Sequence, residues 1–162
     1  MTIKPGDRLP DASLSRLGER GPEQVPLAEI TAGRRVVIFG LPGAFTSTCS
    51  TAHLPSFMRT AQAFKDKGVD EIICIAANDA WVMDAWNKDT GAGEAGVTLL
   101  ADHASDLTKG LGMEMTVPAV GFFSRSKRFA LLAEDGVVTH LQQETAPGAC
   151  DLTTGESLLA VL

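Results

Sequence analysis

Nothing in this chain approaches the ~20 consecutive apolar residues that span a bilayer. Its first residues, MTIKPGDRLPDAS, contain no apolar core of the kind that directs secretion. Both absences lead to the expectation of a cytoplasmic protein. Basic residues are outnumbered as well: 14 Lys and Arg stand against 20 Asp and Glu, a net charge of −6. That balance argues against the basic face that nucleic-acid binding needs, and against docking to anionic lipid. Cysteine is limited to Cys49, Cys74 and Cys150. Three thiols make a poor disulfide framework, and none belongs to a C-x-x-C pair. The usual zinc spacing and the thioredoxin-type dithiol are therefore both missing. No two histidines have metal-ligand spacing, and the acidic residues are too dispersed to form an acid–base pair. With no internal repeat, low-complexity tract or linker, residues 1–162 read as one domain.

What is present is the ordinary material of a globular protein, 44% hydrophobic and 21% charged. VVIFGL (36–41) is a short apolar run rich in β-branched residues, the mark of a buried strand. EIICIAA (71–77) and VTLLAD (97–102) read the same way. FALLAEDGVVTHLQ places two apolar runs around Asp135-Gly136, a hairpin signal. Between the strands, Leu54, Phe57, Met58, Ala61 and Phe64 fall near a 3.6-residue period, predicting a helix over 49–67. Pro55 should kink that helix and Gly68 should stop it. Asn78 or Asp79 can cap a second helix, which carries Trp81, Val82, Ala85 and Trp86. A last helix is expected from about 153 to 162. Strand–helix alternation followed by a hairpin predicts an α/β domain, a central mixed β-sheet flanked by helices.

One segment carries chemistry. After the first buried strand comes LPGAFTSTCS, where Pro42-Gly43 opens a turn and a helix starts near Thr46. Cys49 then falls in the first helical turn. Unpaired N–H groups and about half a positive charge at a helix start favour thiolate over thiol. Thr46 can aim its hydroxyl at the same place, and Pro42 can shield it from water. A cysteine is often just a small buried hydrophobe, but the polar run Thr46-Ser47-Thr48 before Cys49 is no core setting.

Pro42-x-x-x-Thr46-x-x-Cys49 resembles the P-x-x-x-T-x-x-C signature of the peroxiredoxins. PGAFTSTCSTAHLP is similar to the atypical subfamily that includes the mammalian type five and plant type II enzymes. The likeness continues through AANDAWVMDAW, LLAD and RSKRFALLAEDGVV, covering most of the chain in order. Ser47 departs from the subfamily's usual proline but removes no reacting group. The resemblance implies a thioredoxin-like fold, a homodimer, and a peroxidase that needs no cofactor or metal, because sulfur carries the redox change. It implies that Cys49 is the peroxidatic cysteine, oxidised by a hydroperoxide to sulfenic acid and recycled by a thiol reductant, either thioredoxin or glutaredoxin with glutathione. Thr46, the backbone N–H groups of Gly43 and Cys49, and Arg128 would donate to the departing oxygen. Arg125 matches a further family arginine with a supporting or surface place. Cys150, in the loop APGACDLTTG, falls near the position of the resolving cysteine in some relatives; the alternative is recycling by an outside thiol.

Other residues have simpler readings. Cys74, inside EIICIAA, is expected to be buried and inert. His53 lies one turn after Cys49 and suggests a cysteine hydrolase, yet it lacks an orienting Asp or Asn and fits a structural hydrogen bond better. His103 belongs to a loop or helix start, and His140 to the hairpin. Trp81 and Trp86 are expected in the core or a subunit interface. A thioredoxin-fold binding module would not require Pro42, Thr46, Cys49 and Arg128 together.

Overall fold

The computed structural model describes every residue except Pro147, and at Cys49 the backbone alone. The chain opens with strands β1 (Ser13–Gly18) and β2 (Gly21–Pro26) and a short helix α1 (Leu27–Thr31). Strand β3 (Arg35–Gly40) leads to a π turn (Cys49–His53) that runs into α2 (Leu54–Asp66). Next come β4 (Glu71–Ala76), α3 (Ala80–Thr90), β5 (Val97–Ala101) and α4 (Asp106–Gly110). A small hairpin follows, β6 (Glu114–Val117) with β7 (Phe122–Ser126). Strands β8 (Phe129–Glu134) and β9 (Val137–Gln143) and helix α5 (Gly155–Leu159) complete the fold.

Seven strands form one mixed sheet in the order β2-β1-β5-β4-β3-β8-β9, while β6 and β7 pair separately. β3, β4 and β5 run parallel, and β8 joins β3 antiparallel. The pleat divides the core in two. Val37, Phe39 and Leu41 face one side, where Phe57, Phe64, Trp86 and Leu158 bring α2, α3 and α5. Val36 and Ile38 face the other, with Leu27, Leu107 and Leu131. The central mixed sheet with helices on both faces is the architecture expected from the sequence.

Each apolar run read as a strand is one. Asp135 and Gly136 take positive φ values of 48° and 76°, which suits the tight hairpin between β8 and β9. Asp79 caps α3, its carboxylate accepting from the N–H of Val82 at 2.9 Å. Three expectations change. The irregularity predicted at Pro55 takes the form of a π turn just upstream. Pro55 offers no N–H to the carbonyl four residues back, and the wider turn precedes it. On α3 the buried stripe is Ala80, Met83 and Trp86, and Trp81 is exposed. The last helix is shorter than expected: it starts after the Thr154 cap and ends at Leu159, with Ala160 as its C-cap. Among the described residues no helix is long and apolar enough to cross a membrane.

Candidate active site

The turn after β3 is built from both ends. Pro42 and Gly43 are buried, and Arg125, on β7, donates from Nη1 to the Pro42 carbonyl at 2.9 Å. The guanidinium also lies 5.5 Å from the ring centre of Phe122. A Cβ on Gly43 would collide with that guanidinium, so glycine is what permits the close approach. From the other side Asn78 accepts the Ala44 N–H on Oδ1 at 2.9 Å. Phe45 then adopts φ 64°, a left-handed conformation uncommon for a bulky residue. Strain of this kind persists only where the surroundings enforce it.

Thr46 is turned inward on this loop. Its hydroxyl donates to the Gly43 carbonyl at 2.7 Å, tying the ends of the turn together. The family resemblance implies a donor's part for this hydroxyl toward substrate. The geometry differs: the one hydroxyl proton faces Gly43, and the oxygen lone pairs remain as acceptors.

Helical structure begins at Ser47, and Cys49 opens the π turn. The Cys49 side chain lies outside the described atoms, and so does its predicted approach by Arg128. Ser50, next in the chain, accepts from the indole N–H of buried Trp86 at 3.2 Å. Arg128 sits between β7 and β8 and is only 7% exposed, a buried positive charge.

His53 closes the turn and is completely buried. Its Nε2 lies 3.0 Å from the Thr153 carbonyl, an acceptor only, so Nε2 carries the ring proton. Its ring packs against Phe39 and Phe57 at 5.0 and 5.8 Å. Burial, reinforced by the charge of Arg128, lowers its pKa to about 3. A neutral imidazole bonded to a carbonyl is a poor base for a hydrolase, and the structural reading of His53 holds. The backbone of Arg128 is held by the Glu144 N–H, which donates to its carbonyl at 3.3 Å.

Cys74 is buried on β4, as expected. Cys150 is half-buried in the loop before α5. His103 meets Ser15, 3.1 Å away, and His140 lies on β9. Asn78, Trp86 and the Arg125–Pro42 bond were not assigned to the site from sequence. For Asn78 the signal was topological. Loops at the carboxyl ends of adjacent parallel strands meet, and Asn78 follows β4 as Pro42 follows β3.

The family model described as Redoxin matches residues 4–159. Peroxiredoxin-2E-2, chloroplastic, of Oryza sativa subsp. japonica is 47% identical over 99% of this chain and 73% of its own length. Peroxiredoxin-2C of Arabidopsis thaliana is 40% identical, covering 99% of this chain and 98% of its own. The crystal structure of reduced Prx3 in complex with H2O2 from Vibrio vulnificus superposes with a TM-score of 0.91 at 42% identity, covering 99% of both chains. With the loop after β3 built as described and the likeness running the length of the fold, the chain belongs to the Redoxin family as a peroxiredoxin, a thiol-dependent peroxidase.

Proposed function

We propose that Cys49 is the peroxidatic residue and that the loop from Pro42 to Thr46 is its peroxide seat. The thiolate attacks the terminal peroxide oxygen, and the O–O bond breaks. The sulfur keeps a hydroxyl as sulfenic acid, and the departing oxygen takes a proton and leaves as water or alcohol. The observation that carries this reading is the helix start at Cys49 directly after the Pro42–Thr46 loop that Thr46 and Arg125 tie in place, with the buried charge of Arg128 acting on His53 in the same turn. Both favour the thiolate, and both stabilise the negative charge that grows on the leaving oxygen.

The other roles are assigned in keeping with this reading. Arg128 holds the thiolate and the peroxide. The Thr46 oxygen, its own proton turned to Gly43, accepts from the peroxide O–H and so selects which oxygen faces sulfur. The Gly43 N–H supports the same substrate. Pro42 keeps water off the sulfur, and Arg125 holds Pro42. Cys150 closes the cycle as resolving cysteine, a reading supported by the Thr48 hydroxyl meeting the Gly148 carbonyl at 3.5 Å, two residues before it. Thioredoxin, or glutaredoxin with glutathione, then reduces the disulfide. A homodimer is supported by the exposed apolar side chains of Phe45, Trp81 and Phe123, which a second copy would cover.

The test is peroxide consumption by purified protein with each reductant. Cys49→Ser should abolish it. Turnover at the wild-type rate in that variant sinks the assignment.

A further inference from the structure

The segment between β9 and α5 hangs on one carboxylate. Oε1 of Glu144, just past β9, accepts the backbone N–H groups of Asp151, Leu152 and Thr153, each at 2.9 Å. It also accepts the Thr153 hydroxyl at 2.8 Å. Glu144 is itself fixed, its N–H donating to the Arg128 carbonyl at 3.3 Å. Four donors on a single carboxylate oxygen make a strong tether, since hydrogen bonds to a carboxylate exceed neutral ones.

The same segment is fastened to the Cys49 helix at successive heights. Thr48 donates to the Gly148 carbonyl at 3.5 Å, and His53 to the Thr153 carbonyl at 3.0 Å. One turn on, the Gly155 N–H donates to Ser56 Oγ at 2.9 Å. Cys49 lies between the first two fastenings on the helix, and Cys150 lies between the same two on the segment. Bonding requires the two Cα atoms to come to roughly 5.5–6 Å, and the fastenings on either side limit how far Cys150 must travel to do so, while Glu144 fixes the residues that follow it.

We propose that Glu144 is a positioning residue for the second half of the catalytic cycle. It holds Cys150 opposite the Cys49 turn, so that the sulfenic acid is captured there before a second peroxide or an outside thiol reaches it. In that step the Cys150 sulfur attacks the Cys49 sulfur, an S–S bond forms and the S–O bond breaks. The hydroxyl leaves as water with the thiol proton, and the oxidising equivalents are those the peroxide delivered. The proposal rests on the roles of Cys49 and Cys150 given above. Its physical basis is pre-organisation: a fixed segment has already lost the entropy that a free loop loses on bridging.

Wild type, Glu144→Gln and Glu144→Ala each receive one equivalent of hydrogen peroxide. Samples are quenched in acid at intervals, alkylated and mapped by mass spectrometry. Cys49 oxidation and the Cys49–Cys150 disulfide are read separately. Expected are Cys49 oxidation rates within about twofold in all three, and disulfide formation about tenfold slower in Glu144→Ala. Glu144→Gln, which keeps an acceptor oxygen in place, should fall between, and it carries the test if the alanine variant fails to fold. Excess peroxide should drive more of Cys49 to sulfinic acid in Glu144→Ala than in wild type. Disulfide formation at the wild-type rate in both variants overturns the proposal. So does a wild type that oxidises Cys49 yet forms no Cys49–Cys150 bond. A wild type whose Cys49 does not react with peroxide overturns the assignment of Cys49 itself.

Discussion

Arg125 holds the Pro42 carbonyl through its Nη1 at 2.9 Å, and so joins the β6–β7 hairpin to the loop that precedes Cys49. An arginine 83 residues down the chain therefore sets the shape of the peroxide seat. In the proposed mechanism Arg125 and Arg128 act on different parts of the site, one on the loop and one on the reacting atoms.

Arg125→Ala should lower the second-order rate with peroxide about tenfold by letting the loop drift, the cost of slight misplacement. Arg128→Ala should lower it by about a hundredfold or more, because a charge facing the leaving oxygen is lost. Stopped-flow oxidation of Cys49 measures both. Equal losses in the two variants would contradict this division of roles.

Gly43→Ala should behave like Arg125→Ala. The new methyl meets the tip of a flexible side chain and should displace the guanidinium from Pro42. Stability should change by less than about 1 kcal/mol. The double variant should be no slower than either single one, since both remove the same bond. Additive losses would show that Gly43 acts independently.

Thr46→Val removes the bond to the Gly43 carbonyl and the acceptor offered to peroxide, and Thr46→Ser keeps both. The valine variant should lose about 10- to 100-fold in rate, and the serine variant little. A valine variant as fast as wild type would remove the hydroxyl from the mechanism.

Stability should fall in mild acid because of His53. Its folded pKa of about 3 lies below the 6.5 of an exposed histidine. Between those values the unfolded chain binds a proton that the folded chain refuses, so stability rises with pH there. From pH 7 to pH 5 this one residue should remove about 2 kcal/mol. Urea midpoints measured across the range check it. A flat profile between pH 5 and 7 would mean that His53 takes up its proton in the folded state.

Much of this was legible in the sequence because burial writes itself in composition. β3 and β4 are buried on both faces and read as apolar runs, and Asp135-Gly136 announced its hairpin. The β1–β2 hairpin, SLSRLG and GPEQVP, is half polar and carries no such mark. At the site, Pro42, Thr46 and Cys49 share one short motif and are read together. Arg125, Asn78 and Glu144 act across 83, 34 and 9 residues of chain, to Pro42, Ala44 and Thr153 respectively. Their partners are set by strand order and loop closure, which no local pattern encodes. On α3, Trp81 and Trp86 are alike in type but lie on different faces of the helix, so residue type alone did not say which of the two is core.

The π turn between Cys49 and His53 has a consequence for length variation. A π turn holds one residue more than an α turn. Deleting one residue there would restore a regular helix and should cost the fold little. Because the wider turn takes up that residue within about one rotation, the flanks would keep their places, with the Pro42–Thr46 loop ahead and the bonds of His53 and Ser56 to Thr153 and Gly155 behind. The extra residue is thus confined to the turn that begins at Cys49, and its removal would be felt in how that one residue is presented and hardly at all in the fold.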